Sequence, residues 1–224
     1  MRGRVGRILQ NHRDPRDHVN HHRLARIFQV LTGVLLGLAV VIWILQPGST
    51  QEDSGPASYF LPEPLQAPTF TLISHLGEPV SSSDFRNQVL AVFFGYTSCP
   101  DVCPLTLSHL SQAFQDMGEG GDRVQVLFIS VDPARDTPER LSQYLGAFHP
   151  SFLGLTGSEE DIRPVADAFG VFFARIGEGD AYTVDHTART FVLDSAGRIV
   201  LTFPITATPQ EMARDLTLLL EEVG

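Results

Sequence analysis

The chain contains two cysteines, Cys99 and Cys103, separated by three residues in the segment GYTSCPDVCPLTL. They follow an apolar run at residues 89–96 that predicts a buried strand, and they precede a predicted helix at about residues 104–117. On a helical turn, two cysteines four positions apart share one face, with about 6 Å between their Cα atoms. The pair can therefore form a structural disulfide, exchange thiols with another protein or bind one metal ion.

The junction between a strand and a helix favours reactive thiols over a structural disulfide. Amides at a helix N-terminus lower the pKa of a thiol, and thiolate is the form that acts as a nucleophile or a metal ligand. A disulfide at this spacing would stabilise the fold by only about 2 kcal/mol. Thiol-disulfide enzymes usually have CxxC, and we expect the additional residue to turn the second sulfur outward. Two outward thiolates are soft ligands that select Cu(I), and an imidazole would complete such a site.

Four histidines beyond residue 66 are candidates for that imidazole. His75 and His149 fall in a predicted hairpin and a loop, where a solvated surface side chain is the better interpretation. His109 lies six residues beyond Cys103 on one predicted helix, so it is rotated by about 240° from that cysteine. His186 precedes a predicted strand at a place where a thioredoxin-like sheet brings a loop beside the cysteine helix. Judged by residue type alone, a histidine such as His186 more often has a structural role than the role of a metal ligand.

Strands and helices alternate over the segment that must position these residues. Helices are predicted at residues 104–117, 137–148, 159–169 and 208–222, buried strands at 89–96 and 124–131, and hairpins at 70–85 and 190–203. Thr208 caps the last helix and Pro209 begins it. The order β-α-β-α-β-β-α predicts an α/β sandwich of the thioredoxin-like class.

Composition excludes several classes of protein. With 224 residues, 43% hydrophobic and 19% charged, the chain can bury one sizeable core. Two cysteines are too few for a disulfide scaffold or a four-cysteine zinc site. The formal net charge of -10 argues against nucleic-acid binding, which needs a basic surface.

The N-terminal part of the chain predicts an anchor and a linker. Residues 27–45 carry no formal charge and as a helix would rise about 28 Å against a hydrocarbon core of about 30 Å, which predicts a transmembrane span. Residues 1–26 are a leader rich in arginine and histidine, too long for a typical cleaved signal peptide. Residues 46–66 are rich in Pro, Gly, Ser and acids and predict a flexible linker to a domain at 67–224.

The distribution of charge predicts the orientation of the chain. The leader holds seven arginines against two aspartates, so the positive-inside rule keeps the N-terminus cytoplasmic and exports the domain. The one predicted span indicates a single pass through the membrane. Because the leader is short for a mitochondrial protein, we expect a bacterial inner membrane, with a periplasmic domain. Residues 46–224 hold nine arginines against 24 acidic residues, so a partner that presents basic groups is expected.

Three segments, GYTSCPDVCPLTL, ISVDPARDTPERL and TVDHTARTFVLD, resemble motifs of the SCO (SenC/PrrC) family of copper chaperones for cytochrome c oxidase assembly. The resemblance runs from about residue 64 to the C-terminus. It implies a thioredoxin-like domain on a single-span anchor, in which Cys99, Cys103 and His186 bind one copper ion as Cu(I) or Cu(II). It also implies delivery to the CuA centre of oxidase subunit II. Thr187 stands where the family commonly has serine.

The second of these segments has a structural explanation as well. The resemblance implies a loop near the metal site for Asp132 and Pro133. Asp136 or Thr137 is predicted to cap the following helix, and Pro138 to begin it. None of these residues is assigned as a ligand.

Two functions remain open from the sequence. In the first, two thiolates and one imidazole hold copper, and ligand exchange transfers it to a partner. In the second, Cys99 and Cys103 are the redox pair of a thiol-disulfide oxidoreductase that acts on exported cysteine pairs, such as those of oxidase subunit II, and the histidine is dispensable. A peroxidase of the peroxiredoxin type is disfavoured because the chain has two nearby cysteines in place of a single PxxxTxxC thiol.

Overall fold

The computed structural model describes residues 17–45 and 59–223. The chain divides into two compact units, Met1–Ser54 and Gly55–Gly224. In the first unit, helix α1 (Asp17–Leu45) includes the segment predicted as an anchor. Within the described residues, no helix combines the length and the apolar character needed to cross a membrane. Most of the predicted leader and of the predicted linker, up to residue 16 and from residue 46 to 58, lies outside the described residues.

The second unit is an α/β fold with one large mixed sheet. Its described strands are β1 (Tyr59–Gln66), β2 (Thr71–Ser74), β3 (Pro79–Ser81), β4 (Val89–Gly95), β5 (Val124–Ser130), β6 (Leu153–Thr156), β7 (Phe173–Ile176), β8 (Thr183–His186), β9 (Arg189–Leu193) and β10 (Arg198–Pro204). Its described helices are α2 (Val102–Met117), α3 (Pro138–Leu145), α4 (Glu159–Ala168) and α5 (Pro209–Val223). The large sheet has the strand order β1-β10-β9-β4-β5-β6-β2-β3.

Strand β4 lies at the centre of this sheet and ends at the cysteine loop. It pairs in parallel with β5 and antiparallel with β9, and every residue from Val89 to Gly95 is buried. The continuous apolar run predicted such a strand, and the prediction is confirmed. Beyond the paired residues, the Val131 amide donates to the Gly95 carbonyl oxygen at 2.8 Å. The loops that follow β4 and β5 therefore start side by side, as expected for a thioredoxin-like α/β fold.

The predicted linker ends earlier than expected, because Tyr59–Gln66 is a strand. β1 pairs antiparallel with β10, and the register shifts between Phe60 and Leu65. The strand YFLPEPLQ contains two prolines, which lack the amide that a central strand needs for both neighbours. In the sheet that the described residues form, it lies at an edge, where a strand needs amides for one neighbour only.

Capping residues set the helix boundaries much as the sequence predicts. The Thr137 side chain accepts a hydrogen bond from the Arg140 amide, and Pro138 is the first residue of α3. Thr208 accepts from the Glu211 amide at the start of α5. Helix α2 begins at Val102, two residues before the predicted start, so Cys103 lies in its first turn.

Strand β6 and the hairpin of β7 and β8 have no counterpart in the sequence prediction. Strands β7 and β8 form a separate two-stranded sheet that makes no strand pairing with the large sheet. Phe173 pairs with His186 at one end of this hairpin and Ile176 with Thr183 at the other. His186 is therefore the last residue of a strand, and not part of a loop that precedes one.

Candidate metal centre

The cysteine loop is a tight connection between β4 and α2. The Cys99 amide donates to the Tyr96 carbonyl oxygen at 3.2 Å, which closes a turn directly after the strand. Asp101 occupies the cap position of α2 without a capping side-chain hydrogen bond. The Cys99 side chain is 8% exposed and the Cys103 side chain is fully buried.

The burial of Cys103 contradicts the expectation that the second sulfur turns outward. Cys103 packs over Gly95, where an added Cβ would lie 2.9 Å from the Cys103 Sγ and 2.8 Å from a ring carbon of Phe128. The absence of a side chain at Gly95 thus creates the space that the sulfur occupies. The sequence prediction was wrong because helix α2 lies against the sheet with this face inward.

The two thiols form a hydrogen-bonded pair with opposite pKa shifts. A hydrogen bond from Cys103 lowers the pKa of Cys99 to about 5, against the opposing effect of burial, and the backbone amides of Asp101 and Cys103 and the charge of His186 lower it further. The same hydrogen bond, together with burial, raises the pKa of Cys103. Near neutral pH the pair therefore holds one thiolate, on Cys99, and one thiol, on Cys103. The predicted effect of the helix amides applies to Cys99 alone.

His186 meets this pair from the hairpin of β7 and β8. Its Nε2 lies 3.7 Å from the Cys103 Sγ, and its Nδ1 lies 3.4 Å from the Val184 carbonyl oxygen. A carbonyl only accepts, so a hydrogen bond there requires a proton on Nδ1. In the neutral imidazole this leaves the lone pair of Nε2 facing the sulfur. The ring of Tyr96 packs edge-on against the imidazole at 5.6 Å between centroids.

The separation of the Cys103 sulfur and the His186 nitrogen suits a shared metal ion. An ion about 2.3 Å from a thiolate and about 2.0–2.1 Å from an imidazole, with about 120° between the two bonds, holds these atoms about 3.8 Å apart. The observed distance is 3.7 Å. Among the described residues, however, no three His, Cys, Asp or Glu side chains already form a cluster that would hold a metal. A third donor can therefore complete the coordination of a metal ion only after a side chain moves.

The other three histidines of the domain make structural contacts. The Nδ1 of His109 lies 3.0 Å from the Ala207 carbonyl oxygen, so this ring points away from the cysteines, as its helical position predicts. His75 and His149 are half-buried, which corrects the expectation of solvated side chains. His75 accepts from the Gly154 amide at 2.9 Å, and His149 packs against aromatic rings of the core.

Two residues that support the cysteine loop were not assigned from the sequence. Tyr96 touches the His186 ring and is within hydrogen-bonding reach of the Cys99 sulfur; burial raises the pKa of Tyr96. Asp136, considered as a helix cap, is fully buried instead and accepts from the Thr97 amide, the Thr97 hydroxyl and the Ser130 hydroxyl. An acidic residue shortly after a buried strand is a signal for such a role, but its partners cannot be read from the sequence.

Known proteins are similar to this chain in both sequence and fold. A family model described as SCO1/SenC matches residues 62–221. The SCO2-like protein RC0895 of Rickettsia conorii is 38% identical over 146 residues, which cover 64% of this chain and 71% of that protein. The solved structure of Bradyrhizobium japonicum ScoI with copper bound has a TM-score of 0.64 at 38% identity, over 69% of this chain and 99% of that one. Apo Sco1 of Thermus thermophilus has a TM-score of 0.63 at 42% identity, over 75% and 96%. Since the family model covers well over half of its length, the chain belongs to the SCO1/SenC family.

Proposed function

We propose that this chain is a copper chaperone that binds one copper ion through the sulfurs of Cys99 and Cys103 and the Nε2 of His186. The observation that carries the proposal is the 3.7 Å separation between the Cys103 Sγ and the His186 Nε2, beside a second sulfur that hydrogen-bonds to the first. Family members from Bradyrhizobium japonicum and Arabidopsis thaliana have structures with copper bound.

The chemistry of the three side chains fits copper as a transferable cargo. Two thiolates and an imidazole form a soft, low-coordinate donor set that suits Cu(I). Cys99 is the more exposed sulfur and carries a lowered pKa, so it meets an incoming ion first as a thiolate. Cys103 must release its proton to water before it binds, because its pKa is raised. Metal binding therefore releases at least one proton, and acid favours release of the metal.

We propose the CuA centre of cytochrome c oxidase subunit II as the recipient. The proposal rests on the family to which the chain belongs and on a thiolate-rich donor set that can be exchanged ligand by ligand. The excess of acidic over basic residues beyond residue 45 favours a basic docking surface on the partner. Transfer should then slow as ionic strength rises, because salt screens this attraction.

We further propose that α1 attaches the domain to a bacterial inner membrane, with the N-terminus cytoplasmic and the domain periplasmic. Residues 27–45 carry no formal charge, and the large apolar side chains described in this helix are about half exposed or more. Alkaline extraction of membranes tests the proposal. The full chain should stay in the pellet, and a chain that begins at residue 59 should not; full release of both would refute attachment.

Copper stoichiometry tests the three-ligand site. The reduced full chain should bind one equivalent of Cu(I), and His186→Ala should bind it with clearly lower affinity in competition with a chelator. His109→Ala is the matched control, because His109 is also half-buried and bonds one carbonyl, away from the cysteines. The site is wrong if His186→Ala retains the affinity of the parent chain.

A second candidate function, thiol-disulfide exchange, is favoured by the single thiolate of the pair. The Cys99 thiolate would attack a partner disulfide and form a mixed disulfide, releasing one partner thiolate. Cys103, after losing its proton to that thiolate, would attack the Cys99 sulfur, form the Cys99–Cys103 disulfide and release the second partner sulfur. Cys103→Ser should then trap the mixed disulfide, and His186→Ala should leave the exchange intact. A copper chaperone without exchange activity gives no trapped species.

A further inference from the structure

The position of His186 depends on contacts other than those of the large sheet. Among the described strands, β8 pairs only with β7, through four residue pairs. An isolated two-stranded hairpin is at best marginally stable in water. Side-chain contacts must therefore hold this hairpin beside the loop that carries Cys99 and Cys103.

The strongest of these contacts lie at the start of β8. The Tyr182 hydroxyl donates to one carboxylate oxygen of Asp132, and the Arg135 Nε donates to the other. The Nη1 of Arg135 donates to the Tyr182 carbonyl oxygen at 3.0 Å. Asp132 and Tyr182 are 4% and 7% exposed, so these hydrogen bonds are shielded from water. Hydrogen bonds with an ionised partner are stronger than those between neutral groups, and excluding water strengthens them further.

Stacking adds to the hydrogen bonds. The guanidinium carbon of Arg135 lies 3.7 Å from the centroid of the Tyr182 ring and that of Arg175 lies 3.5 Å from it. Arg135 also lies 5.9 Å from the centroid of Tyr96, the residue whose ring packs against His186. The loop after β5, the hairpin and the ring beside the imidazole thus form one contiguous set of contacts.

We propose that Asp132, Arg135 and Tyr182 form a clamp that positions His186 against Cys103. They are positioning residues, because none of them touches the proposed copper ligands. Tyr182 lies four residues before His186 on the same chain segment. A hairpin that is released at Tyr182 should therefore also displace the imidazole of His186. The role in copper binding rests on the function proposed above, whereas the docking of the hairpin does not.

Amide hydrogen exchange on the reduced, metal-free full chain tests the clamp. Tyr182→Phe removes the hydroxyl and keeps the stacked ring, and we expect exchange of the residue 173–186 amides to rise about tenfold. Asp132→Asn should raise it at least as much. The effects of the two changes should be less than additive in the double variant, because both act on the hydrogen bond between Tyr182 and Asp132. Exchange in β4 should not change.

Tyr144→Phe is the matched control for loss of a buried hydroxyl. The Tyr144 hydroxyl is buried without a hydrogen-bond partner in the described part of the chain, so its removal should leave exchange of the hairpin unchanged. Unchanged exchange at residues 173–186 in both Tyr182→Phe and Asp132→Asn would overturn the clamp. So would an equal rise in Tyr144→Phe.

Copper affinity of the same variants separates the clamp from the proposed function. A Cu(I) competition assay should show weaker binding by Tyr182→Phe and Asp132→Asn and unchanged binding by Tyr144→Phe. Faster hairpin exchange with unchanged copper affinity supports the clamp and counts against His186 as a ligand. Weaker copper binding with unchanged exchange overturns the clamp and leaves the copper site standing.

Discussion

Replacing Gly95 by alanine should disturb the site without replacing any of its proposed ligands. The added Cβ would lie 2.8 Å from a ring carbon of Phe128 and 2.9 Å from the Cys103 Sγ. Carbon atoms pack at about 3.5–4.0 Å, so the neighbours must move by up to about 1 Å. Both are fully buried, which leaves no solvent-facing end to swing away.

The cost of this substitution can be worked from general magnitudes. Overpacking a close-packed core costs about 1–3 kcal/mol, and the lower backbone entropy of unfolded alanine offsets about 0.4–1 kcal/mol. We expect Gly95→Ala to lower the free energy of unfolding by about 1–2 kcal/mol. For a domain of this size, the melting temperature should fall by about 2–8 °C. Displacement of Cys103 should also raise the pKa of Cys99 and weaken Cu(I) binding.

Thermal unfolding of the reduced, metal-free full chain measures the stability, and the pH dependence of Cys99 alkylation measures the pKa. Gly120→Ala is the control, because the nearest atoms to its added Cβ lie at the ordinary distances of 3.7–3.9 Å. It should change stability by less than about 0.5 kcal/mol. A Gly95→Ala variant with the melting temperature and the Cys99 pKa of the parent chain would refute the close-packing argument.

Two further predictions concern charges near the cysteine loop. Alkylation of Cys99 in the reduced chain should rise with pH around a midpoint of about 5, and Cys103→Ala should move that midpoint upward, because the hydrogen bond that lowers the pKa is lost; an unmoved midpoint contradicts this. Asp136→Ala removes the acceptor of two bonds from Thr97 and one from Ser130, and unpaired buried donors cost about 1–3 kcal/mol each. Chemical denaturation should show a loss of about 3 kcal/mol, since the hydroxyls can partly reorient; a loss below about 0.5 kcal/mol contradicts it.

The Cys99 pKa also has a consequence for the stability of the fold. The pKa is lowered on folding, so ionised Cys99 stabilises the native state fully only above the ordinary thiol pKa of 9.0. This contribution is lost as the pH falls through about 5. The raised pKa of Cys103 acts in the opposite sense at alkaline pH. The net stabilisation by the pair therefore grows as the pH rises from about 5 and is largest near 9.0, where the opposing effect of Cys103 begins.

Local patterns in the sequence were sufficient for much of the fold. A continuous apolar run identifies β4 because a strand buried on both faces needs no polar alternation. Thr137, Pro138 and Thr208 identify helix starts because capping is a contact between residues three or fewer positions apart. The same logic failed for β1, where two prolines and a polar setting resemble a linker unless the partner strand is known.

The order of the residues is enough to identify the pair of thiols, their place between a strand and a helix, and the alternation of elements that makes an α/β fold. Three features emerge only when the elements pack: Cys103 faces inward over Gly95, His186 approaches it from a separate hairpin, and Tyr182 and Asp132 hold that hairpin. The physical reason is distance along the chain. Contacts between residues tens of positions apart depend on how complete elements pack, and no local periodicity or spacing encodes which side chains then meet.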